Sequence, residues 1–100
     1  MKMNDLGTGE NSTRSFEIRS GTIGYRGLVH MICNIPGAVL TYAAHDTING
    51  DTKLIVVYKN ATITIETLWA DYIMYSHDNA FDEFVEALKK YQLKWWERIF

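Results

Sequence analysis

The sequence predicts an α+β fold: an antiparallel sheet of about five strands, a meander of hairpins, with one long C-terminal helix packed on one face. Strand-like runs at residues 38–44, 53–58 and 61–68 are set off by the turn dipeptides Pro36-Gly37, Asn49-Gly50 and Lys59-Asn60. Residues 79–100 place apolar side chains at helical spacing, with acids early and bases late. A chain of 100 residues is also too short for two independent cores, so one sheet and one helix make the simplest compact arrangement.

Taken in order, residues 1–14 are rich in Gly, Asn, Ser and Thr, offer few large apolar groups, and are expected to form a flexible arm before a single domain at 15–100. Ser15 to Arg19 alternates, with Phe16 and Ile18 opposite Glu17 and Arg19, and predicts the first strand. Gly21, Gly24 and Gly27 recur every third residue and predict a turn or bulge. Leu28 to Ile35 is a short apolar run that fits a buried strand or a buried helical turn equally well.

Beyond the turn at Pro36-Gly37, Ala38 to Ala44 predicts a strand and Asn49-Gly50 a tight reversal. Lys53 to Tyr58 and Ala61 to Leu68 follow as a hairpin, with Ile63 and Ile65 opposite Thr62, Thr64 and Glu66. Residues 69–77 continue as a further strand on the alternation of Tyr72 and Met74 with Ile73 and Tyr75, although a helix fits the same pattern. The last helix is expected over Asn79 to Phe100, capped by Asp78 or Asn79.

Along that helix, Phe81, Phe84, Val85, Leu88 and Ile99 would span about 100°, the width one sheet face covers. Tyr91, Leu93, Trp95, Trp96 and Phe100 widen the arc to about 200° in the last three turns, about twice what one layer shelters. That excess predicts either cover by the chain itself or an intermolecular contact, because exposed tryptophans and apolar groups make up interface centres. The interface set is Leu93, Trp95, Trp96 and Phe100. Gln92 falls on the core-facing stripe and is expected to be hydrogen-bonded there.

Composition excludes several classes of function. Ten Lys and Arg against 12 Asp and Glu leave a formal charge of −2, which gives no positive field for nucleic acid and too few massed carboxylates to imitate it. The single cysteine, Cys33, permits no intramolecular disulfide and no multi-cysteine zinc site. With no signal-peptide pattern and no apolar run long enough to span a bilayer, a cytoplasmic protein without membrane contact is expected.

No catalytic, metal or phosphate-binding motif stands out, and no cofactor is expected. The G-x-x-G at Gly24 to Gly27 holds Arg26, yet His30 and Cys33 stand where a backbone-clamping RNA loop needs apolar groups. His30 and Cys33 share a face only if their run is helical, and two ligands leave a zinc or copper site short. A nucleophile system built on Cys33 would need a histidine brought to it by the fold.

Two functions follow. One is a small non-enzymatic interaction protein, self-associating as a homodimer or bound to another protein, and acting as an inhibitor or immunity-type binder of a macromolecule. The alternative is a module binding a small anionic ligand or nucleotide, or a minimal enzyme. Its pocket would lie between helix and sheet, and Tyr25, Arg26 and His45 would supply aromatic and cationic contacts.

Overall fold

The computed structural model describes residues 1–9, 13–68 and 71–99. One antiparallel sheet contains β1 (Met3–Thr8), β2 (Arg14–Ile18), β3 (Ala38–His45), β4 (Thr52–Tyr58), β5 (Ala61–Leu68) and β6 (Asp71–Ser76). The helices are α1 (Tyr25–Cys33) and α2 (Phe81–Lys90), and short 3-10 turns occupy Ser20–Thr22 and Trp95–Arg98. The α+β class and the antiparallel sheet are as expected. The sheet has six strands rather than about five, and the C-terminal helix is 10 residues long.

Strand order across the sheet is β1-β2-β6-β5-β4-β3. Strands β3 to β6 form the expected run of hairpins, but β2 pairs with β6, so α1 must carry the chain over one face to the far edge. Alternation decides which face is covered. Phe16 and Ile18, Leu54 and Val56, Ile63 and Ile65, and Tyr72 and Met74 are all buried on that face. They pack with Leu28, Met31 and Ile32 of α1 and with Phe81, Phe84, Val85 and Leu88 of α2 in a single cluster. Phe81 meets Phe16 edge-on at 5.7 Å, and Phe84 lies 5.4 Å from the Tyr58 ring. Burial of each such side chain contributes about 1.5–3 kcal/mol, which is why this face binds both helices.

Two of the predicted turns form as expected, and the third is wider than a tight hairpin. Ala38 N–H donates to the Ile35 carbonyl across Pro36-Gly37, and Gly37 takes the positive φ of 86° that a type II turn requires at its third position. Lys59-Asn60 joins β4 to β5 directly, with Tyr58 paired to Ala61. Around Asn49-Gly50 the reversal is wider: Asp46 accepts from the Ile48 and Asn49 backbone N–H groups, and these bonds hold its carboxyl below the usual range.

Four expectations are corrected. Residues 1–14, expected as an arm without regular structure, supply β1, which pairs with β2 while Met1 and Met3 pack against the core. The run after Gly24 is helical, so Gly27 lies inside α1 rather than in a turn. Helix α2 starts after Ala80, because the Asp78 carboxylate accepts from Thr62 N–H instead of capping it. The same helix stops at Lys90: Tyr91 is extended, with φ −67° and ψ 130°, and Gln92 is exposed rather than in a core stripe. No helix among the described residues is long and apolar enough to cross a membrane.

Candidate functional site

The segment after α2 leaves the helix because its side chains find better partners elsewhere. Tyr91 and Leu93 fold back onto the core, and the chain re-coils into the 3-10 turn at Trp95–Arg98 against α1. At the centre of that junction is Glu97, whose side chain is 0% exposed. A buried carboxylate is tolerated only with a full set of donors. Glu97 has three: the Lys94 backbone N–H at 2.6 Å, His30 Nδ1 at 2.7 Å and the Tyr91 hydroxyl at 2.9 Å.

Burial pushes the Glu97 carboxyl up, but the Lys94 N–H, the His30 imidazole and the Tyr91 hydroxyl together outweigh it and leave the group below its ordinary value. The Tyr91 hydroxyl is raised in turn, by burial and by the carboxylate beside it. The main chain closes the same junction, with Gly24 N–H donating to the Glu97 carbonyl at 2.9 Å. Gly27 lies directly beneath, and a Cβ at that position would overlap the carbonyl of Glu97. This close approach, and not a turn, is what the second glycine of the G-x-x-G serves.

Between α1 and the turn runs an open groove of about 420 Å³, lined by Tyr25, Arg26, Val29, His30, Cys33 and Trp96. The Trp96 ring stands edge-on to His30 at 4.8 Å and forms one wall. Arg26 supplies the cation, and no acid among the described residues lines the groove. Because the run is helical, His30 and Cys33 do share a face, and both border this space. Among the described residues no three His, Cys, Asp or Glu side chains converge as a metal site needs.

The candidate ligand residues are partly brought together. Tyr25 and Arg26 line the groove, and the His45 ring of β3 stacks on Tyr25 at 4.2 Å and 12° without lining it. His45 Nδ1 is held by the Thr52 hydroxyl at 2.7 Å. The candidate interface residues are divided. Trp96 joins the groove, while Trp95 is 73% exposed on the turn, with Ile99 beside it at 66%. Leu93 packs against the core and borders a separate hollow of about 570 Å³ with Met1, Met3 and Arg98. Phe100 lies outside the described residues.

Glu97 and His30, which organise the site, are not singled out by the sequence as a pair. The available signal is faint: an acid between Trp96 and Arg98 at the end of an apolar tail, and a histidine three residues after Gly27. Nothing in their spacing announces a meeting of residues this far apart in the chain. The chain matches no family model, and no curated protein or solved structure is significantly similar to it.

Proposed function

We propose that this chain is a non-enzymatic interaction protein that self-associates and acts by occupying a surface of another macromolecule, as an inhibitor or immunity-type binder does. The observation that carries the reading is the exposure of Trp95 and Ile99 on a turn that Glu97 anchors from beneath. A tryptophan displayed on a pre-ordered element loses little further entropy on docking, which is the property of interface anchors. Arg26, Tyr25 and Trp96 in the adjoining groove extend the same composition.

The test is comparative capture from the source cells with three baits: the full chain, Trp95→Ala and Arg26→Ala. A macromolecule retained by the full chain, purified and titrated back, is expected to bind Trp95→Ala at least tenfold more weakly. Equal binding by all three baits would reject the tail surface as the recognition site.

A second reading is favoured by the cation and aromatic walls of the groove: a small anionic ligand held by Arg26 between Tyr25 and Trp96. Thermal-shift measurements with nucleotides and small carboxylates separate the two. A ligand-induced rise in melting temperature that Arg26→Ala abolishes and Trp95→Ala leaves intact would move the function to this second reading.

A further inference from the structure

The sheet has two edges, and they differ. Along β1, Asp5 pairs with Arg14 at 3.6 Å, Gly7 takes a φ of +83°, and the register slips between Asp5 and Gly7. Charge, glycine and a bulge are the devices that keep an edge from recruiting another strand. The opposite edge, β3, spans eight residues, Ala38–His45, and its side chains from Ala38 to Ala44 carry no charge. Every second residue of such an edge turns its N–H and C=O outward without a ladder partner in its own sheet.

The bulge in β3 does not close this edge. The register shifts between Leu40 and Tyr42, but the extra residue, Thr41, donates its hydroxyl to the Ile55 carbonyl at 3.1 Å, and pairing with β4 resumes through His45. On the face away from the helices, the edge displays Val39, 59% exposed, and Tyr42, 50% exposed. They pair with Val57 and Ile55 of β4, so an apolar band runs from the sheet interior out to the rim.

We propose that two copies of this chain pair antiparallel through β3, joining their sheets into one. The inference rests on the reading of the chain as a self-associating interaction protein and names the surface used. A two-fold axis at Tyr42 overlaps residues 39–45 of the two strands: each Tyr42 opposes the partner's Tyr42, and Val39 lies beside the partner's His45. A second copy is the occupant because antiparallel pairing of a strand with itself is isologous and satisfies both edges at once. No like charges oppose each other in that register, since the strand from Ala38 to Ala44 has none. The helices stay on one face of the joined sheet, and the Trp95 surface is a separate site for the foreign partner.

The experiment is light scattering and sedimentation of the full chain from roughly 1 to 200 µM, the range in which an interface of modest area assembles. The wild type is expected to be a dimer at the upper end. Tyr42→Lys, which sets two cations face to face at an exposed position, is expected to remain monomeric throughout while keeping the wild-type circular dichroism spectrum. In a Cys33→Ser background, Tyr42→Cys is expected to form a disulfide-linked dimer on mild oxidation, and Leu6→Cys on the β1 edge is not.

A dimer that survives Tyr42→Lys but is lost in Trp95→Ala would overturn the β3 interface and leave self-association through the tail in place. A wild type that stays monomeric over the whole range overturns both.

Discussion

Gly27 lies so close to the backbone of Glu97 that no other residue fits at that point of α1. The helix and the C-terminal turn meet there main chain to main chain, and the Gly24 N–H to Glu97 carbonyl bond fixes the meeting. In a free helix Gly27→Ala would add about 1 kcal/mol of stability. Here the added methyl has backbone rather than a mobile side chain to displace, so the sign reverses. The expected cost is about 1–3 kcal/mol, read as a lower urea midpoint, with the C-terminal turn loosened first.

Glu97 makes stability depend on acid pH. Its folded value is depressed, so its contribution is fully present above the ordinary glutamate range and is lost as pH falls through the lower folded value. Wild-type stability should therefore decline below about pH 4.5 with a component that Glu97→Gln lacks. At pH 7 Glu97→Gln should also be less stable, because its amide cannot accept from all three donors. Denaturant titrations of both proteins between pH 3 and 7 test this. Parallel curves would mean that Glu97 carries none of the acid dependence.

Tyr91→Phe removes one donor and leaves the Lys94 N–H and His30 in place. A single hydrogen bond to a charged group contributes about 1.5–3 kcal/mol, so the loss should fall in that range and below the cost of Glu97→Gln. Chemical denaturation at pH 7 gives the ranking.

Trp95 and Trp96 are neighbours with opposite expected behaviour. Trp95→Ala should change stability by less than about 0.5 kcal/mol, because its side chain is exposed. Trp96→Ala removes the ring packed on His30 and should lower the melting temperature and expose the groove floor. Thermal unfolding of the two variants side by side decides. Equal losses would place Trp95 in the fold rather than on a display surface.

Phe84 tests the joint between α2 and the sheet. It is fully buried and packs on Tyr58, so Phe84→Ala should cost about 3–5 kcal/mol, a large fraction of what a domain of this size has. Circular dichroism and the urea midpoint measure the loss.

Much of this architecture was legible along the chain. Period-two alternation in β5 sets Ile63 and Ile65 opposite Thr62, Thr64 and Glu66, and both isoleucines lie on the covered face. Pro36-Gly37 and Lys59-Asn60 turn where their backbone preferences require. The β1 strand leaves no such trace in the sequence, because its side chains do not alternate in polarity. It is specified by main-chain pairing to β2 and by Met1 and Met3 resting on the core. Of the candidate site, the aromatic and cationic residues Tyr25, Arg26 and Trp96 were recognisable as types, but their assembly into one groove was not.

Local pattern by itself determined the α+β class, the turns at Pro36-Gly37 and Lys59-Asn60 and the inward face of β5, because periodicity and turn chemistry act over a few residues. The tertiary structure alone decided where the last helix ends. Residues 91–99 have helical spacing and no glycine or proline to break them, yet the chain uncoils at Tyr91. Uncoiling lets Tyr91 and Leu93 reach the core and delivers Glu97 to His30, 67 positions away. Satisfying a buried carboxylate with donors from a distant helix outweighed the weak local preference to keep coiling, and no pattern within the tail records that partner.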